Sequence, residues 1–121
     1  MLVSRRDVWW ADLGEPAKLK SEASTSGFHR PVIILQSDAI NVSRLTTYLC
    51  VPLTGNLRTQ IAPWNMLLPA KATGLDKDSV AQLTLMLAID EEQLIERVGR
   101  ISERQLAQLF ARLDLALGRA V

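Results

Sequence analysis

The stretch Gly27-Phe28-His29-Arg30-Pro31-Val32-Ile33-Ile34-Leu35 constrains the fold of this chain more than any other. Ahead of it lies a polar, small-residue segment, Lys18 to Ser26, with little to bury. Behind Pro31 comes an uninterrupted apolar run rich in β-branched side chains, which reads as a buried strand. Proline disfavours the helical region for its predecessor, so Arg30 is held extended where a polar loop enters a rigid strand. Such junctions often carry functional side chains, although most arginines at strand ends are plain surface charges.

The remaining segments are short and heavily punctuated. Arg6 to Leu13 reads as a first strand with Trp9 and Trp10 on opposite faces, and a tryptophan on an open face is able to stack on a base. The loop from Ala17 to Phe28 is long for adjacent strands, which suggests a functional segment. Strand two is expected over Pro31 to Gln36, with Ser37-Asp38 capping a short turn towards Val42. Thr46 to Leu53 is a third strand, and Pro52 argues for a strand edge or terminus there. Thr54 to Arg58 follows as a loop, Pro63 to Pro69 as a fourth strand, and Lys71 to Asp78 as a connector. Ser79 to Ile89 is one or two strands, although its periodicity is also compatible with a buried helix.

The end of the chain is more explicit. Asp90-Glu91-Glu92-Gln93 has capping-box spacing for one helical turn, and Arg97 to Ile101 resembles a short edge strand. Ser102-Glu103-Arg104-Gln105 repeats the capping box, and behind it Leu106, Leu109, Phe110, Leu113 and Leu117 share one helical face that Gly118 closes. Five to seven short strands and a terminal helix predict a single domain over 1–121, mainly β with short helices, built as a compact and mostly antiparallel barrel.

A net charge of +1, from 14 basic and 13 acidic side chains, gives no bulk field for nucleic acid or membrane, so any such site must be local. The lone cysteine, Cys50, sits in an apolar run and reads as an inert buried thiol, which suits a reducing cytoplasm. Met1 to Asp7 has no signal-peptide core and no apolar run is long enough to span a bilayer, so a soluble intracellular protein is expected.

The chemistry available is narrow. His29 is the only histidine, there is no CxxC or HExxH, and Asp76 with Asp78 reads as a solvated turn, so neither metal nor cofactor is called for. Glycine-rich phosphate loops and a G-x-S-x-G serine are absent. What remains is a metal-free site of Arg30 and hydroxyls such as Thr54, with His29 as a further candidate. Arginine grips a phosphate with a planar fork and stays charged, which suits a phosphorane-like transition state. RNA brings its own nucleophile, the 2′-OH, so such a site is compatible with metal-free RNA cleavage without being established by the spacing. His29 neighbours Arg30 in a strand and so points to the opposite face.

Seven segments in order, none specific alone, resemble the MazF/PemK toxins of bacterial type II toxin–antitoxin systems. They are Asp7 to Leu13, His29 to Asp38, Val51-Pro52-Leu53-Thr54, Asn65 to Pro69, Gly74 to Ala81, Ile89-Asp90, and Val98 to Ser102. The resemblance implies an SH3-like small barrel of the MazF/PemK/CcdB type with a C-terminal α-helix. It also implies a cytoplasmic bacterial homodimer that cleaves single-stranded mRNA or tRNA sequence-specifically without a metal. The products would be a 2′,3′-cyclic phosphate (or 3′-phosphate) and a 5′-hydroxyl. Arg30 matches the catalytic arginine, stabilising phosphate charge and serving as acid, and Thr54 matches the threonine that holds the scissile phosphate. Ser21, Glu22, His29, Asn56 and Leu85 fall at positions that would line the substrate site. The family's Ser-Glu-Gln loop motif matches loosely, since Ser21-Glu22 is followed by Ala23. Leu85 stands in the strand position where many members carry a base-reading glutamine, which implies an altered recognition sequence. A cognate antitoxin would lay its C-terminal tail in the RNA groove and cover Arg30. The same barrel also occurs in the CcdB gyrase poisons, and a non-catalytic interaction module is a further alternative. The tail Leu117 to Val121 lacks the aromatic segment of the gyrase poisons.

Overall fold

A computed structural model describes residues 2–14 and 29–120. Its strands are β1 (Asp7–Asp12), β2 (His29–Ile34), β3 (Thr47–Thr54), β4 (Met66–Leu68), β5 (Ser79–Ala81), β6 (Leu87–Asp90) and β7 (Leu94–Arg100). The helices are α1 (Asp38–Asn41), α2 (Ala70–Thr73) and the long α3 (Glu103–Ala116). The seven strands join in the order β4-β5-β3-β2-β1-β7, with β6 on β3, and every pairing is antiparallel. The sheet does not close on itself, an arrangement compatible with the barrel-like fold expected. Among the described residues, no helix is long and apolar enough to cross a membrane.

Strand β3 organises the sheet. One side of it runs against β2, while on the other its first half pairs with β6 and its last two residues with β5. Pro52 stands where the partner changes, and its carbonyl accepts from the Gln82 amide at 3.1 Å. The edge or terminus that Pro52 suggested is therefore a gap inside a central strand. The proline's missing N–H falls where no ladder bond is made.

Alternation along β1, β2 and β3 splits the core into two layers. Val8, Ile33, Val51 and Leu53 pack with Ile101 and Leu109 under α3. Trp9, Ala11, Val32, Ile34 and Cys50 pack on the other face with Val3, Tyr48, Ile89 and Leu94. Helix α3 forms as its capping box requires: Ser102 Oγ accepts from the Gln105 amide at 3.1 Å, and Gln105 Oε1 accepts from the Ser102 amide at 3.0 Å. Leu109 anchors its inner face, and Arg5 lies 4.7 Å above the Phe110 ring. Leu117, expected on that face, is instead the exposed C-cap residue before Gly118, whose φ of +73° ends the helix. The Asp90 box likewise forms, around a single 3-10 turn.

Three local expectations shift. Ser37 makes no side-chain cap at α1; the Asp38 carboxylate instead accepts from the Arg5 amide at 2.7 Å and from Asn41 Nδ2 at 3.1 Å. The Arg5 N–H bond holds the Asp38 carboxyl below its usual range. The Ser79 to Ile89 run resolves into β5, a 3-10 turn over Leu83–Leu85, and β6, so Leu85 lies on a turn and not in a strand. At the outer edge, β7 starts earlier than expected, and its C-terminal part meets α2 through two glycines. A Cβ on Gly99 would sit 2.2 Å from the Thr73 carbonyl oxygen, and one on Gly74 equally close to that of Val98.

Candidate active site

The register of β2 on β3 brings the two predicted catalytic residues together. Val32 lies opposite Pro52, and two residues further along, at the same end of both strands, stand Arg30 and Thr54. Side chains alternate with period two, so Arg30 and Thr54 leave the face that carries Val32. The paired register ends at Val32 and Pro52, so Arg30 and Thr54 lie just past it, on the same face of neighbouring strands. On its other side Arg30 pairs with Ala11 of β1, whose methyl group leaves room beside the guanidinium stem. Arg30 is half-buried and Thr54 is buried.

The turn after β3 fixes the threonine. Thr54 Oγ1 accepts from the Asn56 amide at 3.2 Å. Asn56 is held in turn, its Oδ1 accepting from the Arg58 amide at 3.2 Å and its carbonyl from Thr59 Oγ1 at 2.8 Å. One lone pair of Thr54 Oγ is thus engaged by the backbone, and its O–H remains to be donated to a phosphate oxygen. Asn56 enters the site as the residue that orients Thr54.

The other candidates separate from this pair. His29 is exposed, lies opposite Asp12, and by alternation leaves the face opposite to Arg30. Leu85 is exposed on its 3-10 turn, which packs against α3. Ser21 and Glu22 lie outside the described residues, as does the rest of the long loop. Cys50 is fully buried, and burial pushes its thiol up to about 12, so it is an inert core group. No group of three or more His, Cys, Asp or Glu side chains among the described residues is placed to hold a metal ion.

Nothing in the linear sequence marks a third feature, the buried Asp7. Its carboxylate accepts from Arg97 Nε at 3.1 Å and Arg100 Nε at 3.0 Å, from partners 90 and 93 residues away. The same carboxylate accepts from the Ser4 amide at 2.9 Å, so it ties the start of β1 to β7.

The fold is thus a small open sheet with one terminal helix, and Arg30 and Thr54 stand at one end of two of its central strands. Residues 4–117 match the sequence profile of the PemK-like, MazF-like toxins of type II toxin–antitoxin systems, and the chain belongs to that family. It is 36% identical over 121 residues to endoribonuclease MazF6 of Mycobacterium tuberculosis, covering 100% of this chain and 98% of the relative. It is 30% identical over 117 residues to endoribonuclease MazF of Staphylococcus epidermidis, covering 97% and 92%. Among solved structures, the Mycobacterium tuberculosis toxin MazF-mt6 superposes with a TM-score of 0.74 at 21% identity, covering 93% of this chain and 97% of that one. The MazE–MazF complex of Deinococcus radiodurans also gives 0.74, at 19% identity and 99% and 100% coverage. At those identities the superpositions speak for the fold.

Proposed function

We propose that this chain is the toxin of a type II toxin–antitoxin pair, an endoribonuclease that cuts single-stranded mRNA or tRNA sequence-specifically and without a metal. The observation that carries it is the placement of Arg30 and Thr54 at the same end of β2 and β3, each two residues beyond the Val32–Pro52 pair. Relatives over the whole chain named as endoribonucleases favour this reading over a gyrase poison. In the reaction the 2′-hydroxyl gives its proton to water as its oxygen attacks phosphorus, and the bond from phosphorus to the 5′-oxygen breaks. The leaving oxygen takes a proton from Arg30, which regains one from water, leaving a 2′,3′-cyclic phosphate and a 5′-hydroxyl. Arg30 stabilises the negative charge gathering on the equatorial oxygens, and Thr54 donates to one of them and fixes the phosphate.

The partners follow from the same reading. Of the solved structures of similar fold, one is a mycobacterial endoribonuclease in complex with its cognate antitoxin and another is MazE–MazF of Deinococcus radiodurans. For this chain the occupant of the RNA groove would be an antitoxin tail, with acidic groups meeting Arg30. A homodimer is supported by exposed apolar side chains, Leu57, Ile61, Trp64 and Leu67, on and just before the sheet-end strand β4. The bacterial cytoplasm, where mRNA and tRNA reside, is the expected location.

The test is cleavage of a long single-stranded RNA in EDTA with end mapping. Discrete cuts should fall by about 100-fold or more in Arg30→Ala and in Thr54→Ala. Intact RNA together with trapped DNA–gyrase complexes would overturn the nuclease reading.

A further inference from the structure

Trp10 is a half-buried aromatic that the cleavage chemistry does not use. It lies opposite Pro31 on β2, on the sheet face away from Arg30 and Thr54. With Pro31, Leu75 and Val98 it walls a cavity of about 380 Å³, with Gly55 and Asp76 also lining it. Two of these residues are the immediate chain neighbours of the reacting pair: Pro31 follows Arg30, and Gly55 follows Thr54. Among the described residues, nothing lies within 4 Å of where a Cβ on Gly55 would stand. The cavity therefore borders the strand ends that carry Arg30 and Thr54.

The lining selects a base and not a phosphate. Its walls are mostly apolar, with one aromatic ring, and the charged part of its lining, Asp76-Lys77-Asp78, carries two carboxylates against one amine. Asp78 is committed, its Oδ1 accepting from the Ala70 amide at 2.9 Å. Among the described residues, the Asp76 carboxylate has no hydrogen-bonding or ionic partner. A carboxylate accepts two parallel hydrogen bonds from N1–H and the N2 amino group of guanine, whereas uracil offers it only one N–H. Unpaired bases that stack on an aromatic ring gain affinity in the same step.

We infer that this cavity is a specificity subsite that takes the guanine of a nucleotide next to the scissile phosphate, stacked on Trp10 and read by Asp76. The inference rests on the RNA-cleavage reading above.

Two measurements test it. First, cut sites are mapped on a randomised single-stranded RNA pool. The wild type should enrich guanine at one position beside the cut, and Asp76→Asn should lose that enrichment while other positions keep theirs. Trp10→Leu, which keeps apolar bulk, should raise KM by about tenfold with kcat nearly unchanged, and Trp10→Phe should restore most of it. Identical base frequencies for wild type and Asp76→Asn, or an unchanged KM in a folded Trp10→Leu, would overturn the subsite. Second, the Trp10 indole N–H resonance, identified by its absence in Trp10→Phe, is followed by NMR during titration with guanosine or uridine. It should move with guanosine only, and less in Asp76→Asn. A resonance that moves in a protein that cuts no RNA would sink the nuclease reading alone, and RNA cleavage with an unmoved resonance would sink the subsite alone.

Discussion

Thr54 owes its position to a two-residue backbone turn, because its hydroxyl accepts from the Asn56 amide before any substrate arrives. Thr54→Val keeps the shape and deletes the hydroxyl, so it should lower the cleavage rate by about 100-fold. Stability should fall by only about 1 kcal/mol, the usual worth of one such bond, which a thermal melt will check. Cys50 makes the opposite case, a reactive group silenced by its surroundings. Burial alone raises its thiol from 9.0 to about 12, so the folded chain keeps the proton where the unfolded chain loses it. Its contribution to stability is complete below pH 9, declines above it and is gone by about 12. A thiol reagent at mildly alkaline pH should therefore leave the native protein unmodified and label it fully in denaturant, and rapid native labelling would contradict the buried placement.

At the level of elements, the contact of α2 with β7 depends on two glycines that meet backbone to backbone. Gly99→Ala would put a methyl group 2.2 Å from a carbonyl oxygen that belongs to the chain and not to a yielding side chain. The two elements must separate, and a loss of about 2–3 kcal/mol is expected, read as a lower denaturation midpoint at unchanged slope. Gly55→Ala, at an open position, serves as the silent control for stability. Gly99 also shows why parts of the fold were not legible in the sequence. Capping boxes at Asp90 and Ser102, the strands around Arg30 and Thr54, and the burial of Cys50 are local patterns, and each could be read from neighbours along the chain. The Gly74–Gly99 contact, the Asp7 bridge to Arg97 and Arg100, and the partner change at Pro52 join residues far apart in sequence, where no periodicity speaks. Pro52 misled for that reason: a missing donor signals an unpaired position, but not whether the gap lies at an edge or inside a strand. The site was half legible in the same way. Residue types picked out Arg30 and Thr54, but only the β2–β3 pairing places them at one end of neighbouring strands, and only the tertiary packing assigns Trp10 to a cavity wall and Trp9 to the core.

Over the whole molecule, the faces of the sheet are used unevenly. One layer is closed by α3 and the other holds Trp9 and Tyr48, while β4 ends the sheet with no partner strand among the described residues on its outer side. Beside that edge lies a cavity of about 410 Å³ lined by Asn65, Leu67, Gln108 and Arg112. Arg112 Nη1 donates to the carbonyls of Pro63 and Asn65 and holds the segment in place, while the buried Asn65 Oδ1 has no hydrogen-bond partner among the described residues. Ile61, just upstream, is 84% exposed. An unpaired strand edge, a buried acceptor without a donor and projecting aliphatic groups are features that a second copy would cover together. If the homodimer forms here, Leu67→Glu places two charges in a desolvated, symmetric contact, one from each protomer. The apparent mass in light scattering at micromolar protein should then drop to roughly half, with the circular dichroism spectrum unchanged because Leu67 points out of the fold. Cleavage of long RNA should slow at the same time, since the RNA groove would run along the interface. A variant that keeps the dimer mass and its activity would move the interface away from β4.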